Sequence, residues 1–127
     1  MAALMTTFSD VFVEPPAELN LHAFAYALFP LINMERYEER DSSNYVDDTY
    51  FRSVGSALEV TACYTDDADL GAYRFWISIS SEDPARPAPQ AAEEFAALIS
   101  SHGWRCFVPS GAWYRKGWSG EGRLYEA

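Results

Sequence analysis

The stretches LEVTACY (residues 58–64) and YRFWISI (residues 73–79) decide the fold of this chain. Apolar residues recur at every second position in both, with Leu58, Val60, Ala62 and Tyr64 on one face of the first and Tyr73, Phe75, Ile77 and Ile79 on one face of the second. A period of two predicts β-strands. Residues 66–71 are too few for a crossover helix, so we expect an antiparallel hairpin over residues 57–80.

The apolar segment before the hairpin predicts a helix over residues 16–33. Proline is tolerated in a first turn, so Pro16 is suited to the start, and Glu18 suits the positive end of the helix dipole. Apolar residues occupy most of the circumference, which predicts burial on most sides. We expect Pro30 to kink or stop this helix near Phe29, because it lacks an amide donor and its ring clashes with the preceding turn.

A second helix is predicted over residues 90–102, with Phe95, Leu98 and Ile99 on one apolar face. Gly103 follows it as a residue that adopts the left-handed conformation at little cost, which is typical of a helix end.

The remaining segments predict further strands. Residues 1–14 read as an extended arm or first strand, and residues 34–41 as an edge strand in preference to a charged helix. A short strand is predicted over residues 50–53. Residues 104–127 should hold C-terminal strands, with one or two short ones around 113–115 and 123–125. Together these elements predict one α+β domain, with an antiparallel sheet of four to six strands packed against two helices.

Composition leads to expectations about the core, the state of the cysteines and the cellular compartment. The apolar fraction of 49% is enough for a core without metal or disulfides. Cys63 and Cys106 share no metal-site spacing, so we predict reduced, buried thiols, although a single bridge stays open as the alternative. The first residues lack a basic leader region and no apolar stretch approaches membrane-spanning length, so we expect a cytoplasmic protein.

The net charge is −10, and it is unevenly distributed. Residues 35–69 hold ten acids against three bases, whereas residues 101–127 hold four bases against two acids. A negative field repels nucleic acid and anionic membranes and attracts basic surfaces. We therefore expect a protein partner with a basic surface and neither nucleic-acid nor membrane binding, while a merely solubilising acidic face is the competing explanation.

Templates for catalysis do not fit this sequence. A serine or cysteine nucleophile needs a nearby base, and His22 and His102 lie in no diagnostic motif, so we interpret both as structural residues. The C-terminal Ser119 lacks the glycine two places later that a nucleophile elbow requires, since Glu121 stands there. Phosphate-binding and dinucleotide glycine motifs are also missing from the sequence. We predict that the protein is not an enzyme and that it uses no cofactor.

An alternative hypothesis rests on the acids between the two hairpin strands. Asp66, Asp67 and Asp69 form an oxygen-rich turn of the kind that binds hard cations. The calcium-loop pattern is not met, because Leu70 stands before Gly71. A small enzyme or ligand-binding domain that uses this cluster with a divalent ion is therefore the second hypothesis, beside an ordinary solvated turn.

Candidate partner-binding residues are acids interleaved with tyrosines, together with a C-terminal group of tryptophans and an arginine. Tyrosine, tryptophan and arginine are frequent anchors at protein interfaces, although each also often lies at a core edge. The candidates are Glu38, Glu39, Tyr45, Asp47, Asp48, Tyr50, Asp66, Asp67, Asp69, Trp113, Arg115 and Trp118.

The order of these elements carries a resemblance. The N-terminal helix, the stretch ERDSSNY (residues 39–45), the strand pair with its Asp-rich turn and the helix ending at Gly103 resemble small immunity proteins of bacterial polymorphic toxin systems. The resemblance covers about residues 17–108. It lies in the general sequence pattern and in the order of the elements, without a specific motif. It implies a small, acidic, non-enzymatic protein that neutralises a cognate toxin by occluding it. An inhibitor that a mobile element makes against a host defence protein is a third hypothesis.

Overall fold

A computed structural model describes residues 6–55, 57–67, 70–111, 113–115 and 117–126. Its elements in chain order are β1 (Thr7–Glu14), α1 (Leu21–Leu31), β2 (Glu38–Asp41), a 3₁₀ turn (Val46–Asp48), β3 (Thr49–Val54), β4 (Leu58–Tyr64), β5 (Phe75–Ser81), α2 (Ala88–Ser101), β6 (Arg105–Pro109) and β7 (Gly122–Tyr125).

The strands form one antiparallel sheet in the order β2-β3-β4-β5-β1-β6-β7. The predicted α+β class and the two helices are confirmed. The sheet has seven strands, slightly more than the predicted four to six. The first strand is a central one, because β1 pairs with β5 on one side and with β6 on the other.

The predicted hairpin is present, with Leu58 opposite Ser81 and Tyr64 opposite Phe75. Tyr73 departs from the prediction. It precedes β5 and packs with Phe12 and Leu70, away from the face that Phe75 shares with Ile77. The alternation holds only inside the strand, because the turn geometry before Phe75 redirects the chain.

Helix α1 begins at Leu21 and not at Pro16, so the predicted range of 16–33 was too long at its start. Asn20 is the N-cap, and its side-chain oxygen accepts a hydrogen bond from the Ala23 amide at 2.8 Å. The asparagine side chain satisfies an otherwise unpaired amide of the first turn. The helix therefore starts after Asn20, even though proline is tolerated in a first turn.

The predictions about the far end and the burial of α1 were also wrong. Pro30 lies inside the helix, which continues to Leu31. Proline in the last turn removes a single helical bond, the one to the carbonyl of Tyr26, whose side chain is 76% exposed. Burial is limited to one side, where Phe24, Leu28 and Phe29 are fully buried.

Helix α2 starts two residues before the predicted position and ends at Ser101, with Gly103 at φ +100° as predicted. The Gly103 amide bonds to the Ser100 carbonyl and the Trp104 amide to the Ile99 carbonyl. This pair of bonds is a Schellman motif, which requires a left-handed residue at Gly103. Leu98 is 38% exposed, so of the three predicted residues only Phe95 and Ile99 lie on the buried face of α2. That face also includes Ala88, Ala91, Ala92 and Ala96.

The two faces of the sheet differ in what covers them. We call the face that carries Val11, Phe75 and Ile77 the helix face, because α1 and α2 pack there in one large apolar core. The opposite face, which carries Asp10, Phe12 and Trp76, is the open face. It is covered in part by a smaller cluster of aromatic rings.

Of the one or two short strands predicted near the C-terminus, one is present within the described residues. Residues 113–115 form turns and no strand, whereas residues 123–125 lie in β7, as predicted. Neither helix in the described ranges has the length and apolar character that crossing a bilayer requires.

Candidate functional site

The strand register brings two acidic turns to the same end of the sheet. Asp47 and Asp48 directly precede β3, and Asp66 and Asp67 follow β4 by two and three residues. β3 and β4 are antiparallel neighbours, with Phe51 opposite Ala62. The start of one strand therefore lies beside the end of the other. We call these four aspartates the acidic end.

Three of the four aspartates at the acidic end, Asp47, Asp48 and Asp66, are exposed, and no ion pair within the described ranges includes them. The arginines on the adjoining strands have other partners. Arg40 pairs with Glu38 at 2.9 Å, and Arg52 pairs with Glu59 at 2.5 Å. The acidic end thus keeps a negative field that projects into solvent.

Asp47 and Asp48 also meet a backbone requirement. Both have left-handed conformations, with φ of 59° and 57°. Aspartate and asparagine tolerate this region better than most residues, because their short side chains bond locally. The two aspartates have a structural reason to be present that is separate from their charge, so an experiment on the charge must keep this conformation.

Two tyrosines lie beside the acidic end. The rings of Tyr45 and Tyr50 stack with centroids 4.3 Å apart, and both side chains are half-buried. Burial raises the pKa of Tyr45, and the nearby Cys63, Tyr50 and Glu59 add to the effect. Tyr50 projects from the open face, because the adjacent Phe51 belongs to the core on the helix face, so its stacking partner Tyr45 lies over the open face. The structure therefore brings together predicted residues from the 3₁₀ turn and from β3.

Glu38 and Glu39 lie on β2, the exposed edge strand, where both have partners. Glu38 accepts a hydrogen bond from Arg40, and Glu39 contacts His22 at 3.0 Å. The His22 ring packs edge-on against Phe51 with centroids 5.0 Å apart. His22 is thus a boundary residue with a carboxylate partner, in line with its structural interpretation.

The C-terminal candidates lie apart from the acidic end. Trp113 and Trp118 are half-buried in the aromatic cluster on the open face, and the Trp118 indole donates to the Ser110 carbonyl at 2.8 Å. Arg115 is exposed, with its guanidinium 5.8 Å from the centre of the Tyr114 ring. The two tryptophans close the open face, and they are not freely exposed anchors.

The described part of the chain has no group of three or more His, Cys, Asp or Glu residues that could hold a metal ion. Asp69, the third acid of the proposed cation-binding turn, lies outside the described residues. The hypothesis of a divalent ion in this turn therefore stays a prediction.

Asp10 is the site residue that sequence reasoning missed. Its carboxylate accepts hydrogen bonds from the indole nitrogens of Trp76 at 2.8 Å and Trp113 at 2.9 Å. Burial raises the pKa of Asp10, while the two indole hydrogen bonds act in the opposite direction. The available signal was an acid inside the largely apolar run from Phe8 to Val13. Its tryptophan partners are distant in sequence.

Both cysteines are free and buried, as predicted. Cys106 belongs to the core of the helix face, whereas the Cys63 sulfur lies near the Trp76 carbonyl. Burial raises the pKa of each thiol to about 12. The thiolate is the reactive form, so neither cysteine is suited to nucleophilic chemistry near neutral pH.

Comparison with known protein families, with curated proteins and with solved structures finds no match to this chain.

Proposed function

We propose that this protein is a non-enzymatic binding domain that neutralises a cognate bacterial toxin by occluding it, as an immunity protein does. In this proposal, the acidic end and the stacked Tyr45 and Tyr50 contact a basic surface of the toxin. The observation that carries the proposal is the meeting of two sequence-distant acidic turns beside a pair of half-buried tyrosines.

In this proposal, the negative charge and the tyrosine rings contribute to binding in different ways. The exposed charges of Asp47, Asp48 and Asp66 steer a basic partner toward the site and raise the association rate. Tyrosine rings supply contact area at a small entropic cost because each has few rotatable bonds. Tyr45 and Tyr50 already hold each other in place, so binding would order them little further.

The toxin is the first thing to test. The product of the neighbouring gene should be toxic when expressed alone, and co-expression with this protein should restore growth. A pull-down should recover a complex of the two. Toxicity that persists on co-expression, with no complex, would contradict the proposal. Recovery of a host defence protein in place of a toxin would support the mobile-element hypothesis.

The role of the acidic end is tested by removing charge and keeping the backbone. The triple variant Asp47→Asn, Asp48→Asn and Asp66→Asn retains side chains that tolerate the left-handed turn. We expect the association rate constant to fall by about tenfold at low salt, with a flatter dependence on ionic strength, because steering weakens with charge. Stopped-flow or surface-based kinetics would measure this.

A matched control removes the same number of charges elsewhere. Glu35, Glu82 and Glu121 are exposed, lie away from the acidic end and form no ion pair within the described ranges. The variant Glu35→Gln, Glu82→Gln and Glu121→Gln should change the rate much less. Equal effects of the two triple variants would mean that net charge, and not its placement, governs association.

A further inference from the structure

The two neighbours of β1 pair with it over different lengths. β5 pairs with β1 from Thr7 to Val13, whereas β6 pairs with it only from Phe12 to Glu14. Beyond Phe12 the strands β1 and β6 separate and leave a cleft of about 510 Å³. We call it the Asp10 cleft. It opens toward the end of the sheet opposite the acidic end.

The carboxylate in this cleft has hydrogen bonds and no counter-charge. One oxygen of Asp10 accepts from Trp76 and the other from Trp113. Indole groups are neutral, and within the described residues no ion pair includes Asp10. A partly buried carboxylate without a cation is electrostatically unfavourable. The same burial raises the pKa of Asp10, because it disfavours the charged form of the carboxyl group.

The walls of the cleft are aromatic and acidic. Phe8 and Tyr114 line it with side chains that are 70% and 66% exposed, although both are large and apolar. Trp113 is fixed in place, because its ring packs edge-on against Phe12 and against Trp76. Glu93 adds a second acid, and none of the lining residues that the structure describes is a base. Arg115 is not among them, although its guanidinium lies 5.8 Å from the centre of the Tyr114 ring. Aromatic faces around a carboxylate form a site that suits an organic cation.

We propose that the Asp10 cleft binds the side chain of an arginine presented by a partner protein. A planar guanidinium stacks on aromatic rings and is more weakly hydrated than an ammonium group, so it loses less on entering the cleft. Each oxygen of Asp10 accepts one indole bond and retains a further lone pair for the guanidinium. Exposed rings at Phe8 and Tyr114 suit a side chain that remains attached to a polypeptide. This proposal does not depend on the toxin-binding proposal, since the two sites have no residue in common.

The test follows the indole N–H signals of Trp76 and Trp113 by ¹H–¹⁵N NMR. The probe is the capped peptide Gly-Ser-Arg-Ser-Gly, and its control carries citrulline, which is neutral and nearly isosteric, in place of arginine. We expect both indole signals to shift with the arginine peptide and to stay in place with the citrulline peptide. No shift with either peptide, or equal shifts with both, would overturn the proposal.

Variants separate the contributions of charge and rings. Asp10→Asn should abolish binding of the arginine peptide, and the double variant Phe8→Ala, Tyr114→Ala should weaken it by about tenfold. The double variant changes exposed side chains only, so it tests the cleft even if Asp10→Asn impairs folding. Glu35→Gln, an exposed residue that does not line the cleft, should leave the affinity unchanged. Ethylguanidinium binding more tightly than the peptide would assign the cleft to a small molecule and overturn the proposal.

Discussion

The helix face and the open face of the sheet are built from different interactions. On the helix face, the rings of Phe24 and Phe75 stack with centroids 4.0 Å apart, and both are fully buried. On the open face, Trp76 and Asp10 are half-buried and joined by a hydrogen bond. Apolar burial without polar atoms stabilises the fold, whereas a half-buried polar network leaves groups that can still interact with a partner.

Different side chains cover the two halves of the open face. Around β1, β5 and β6 it is covered by Phe12, Trp113 and Trp118. Toward β3 and β4 it carries the ion pair of Arg52 and Glu59 and the tyrosine stack. The helix face therefore determines stability, and the open face offers the two surfaces for which we propose functions.

The largest effect should come from the helix face. Phe24→Ala removes a buried ring that contacts Phe75 and Trp104, so we expect the free energy of unfolding to fall by about 3 to 5 kcal/mol. Urea denaturation would measure it. Tyr26→Ala on the exposed side of the same helix is the control and should change stability by less than about 0.5 kcal/mol. Similar losses in both variants would contradict the assignment of the two sides of α1.

An intermediate effect is expected on the open face. Trp113→Phe keeps an aromatic ring and removes one of the two donors to Asp10, so we expect a loss of about 1 to 3 kcal/mol at neutral pH. The matched control is Trp118→Phe, which removes a donor to the Ser110 carbonyl and leaves Asp10 untouched. If the two variants lose stability equally at every pH, the bond to Asp10 has no special role.

The pH dependence of this loss follows from the raised pKa of Asp10. As pH rises above 3.8, the unfolded chain releases the proton of Asp10 before the folded protein does. The folded state binds more protons in this interval, so the contribution of Asp10 to the free energy of unfolding falls with rising pH. Removing the Trp113 donor raises the pKa further. The cost of Trp113→Phe should therefore be smallest below pH 3.8 and reach its full value at neutral pH.

The smallest effect should come from a charge pair at the border of the open face. Glu14 contacts Arg74 at 3.4 Å and accepts a hydrogen bond from the Arg74 amide at 2.9 Å. Glu14→Gln keeps an acceptor for the amide and removes the charge, so we expect a loss below about 1 kcal/mol that disappears at high salt. Thermal denaturation at two salt concentrations would measure it. A larger, salt-independent loss would show that packing and not charge is affected.

Local patterns in the sequence were sufficient for much of the fold. The period of two in β4 and β5 and the short connection between them predicted the hairpin, because both signals lie within one segment. Gly103 predicted the end of α2 for the same reason. The start of α1 was misplaced although Asn20 was visible. Proline in a first turn and asparagine at an N-cap predict different starts for this helix, and the structure has the asparagine cap.

The candidate sites were harder to predict, because they depend on contacts between distant residues. The acidic turns were visible as turns, yet their meeting at one end of the sheet follows from the register of β3 and β4. The hydrogen bond from Trp113 to Asp10 joins residues 103 positions apart. No local pattern indicates such a pair.

The sequence by itself determined the α+β class, the hairpin, the two helices, the buried thiols and the excess of acid between residues 35 and 69, because these follow from composition and short-range periodicity. Only the tertiary structure decided that β1 lies within the sheet, that the acidic turns converge and that Asp10 lies in a cleft. Strand order and register depend on pairing between distant segments and on which side chains fill the core. The local pattern of a single segment does not determine them.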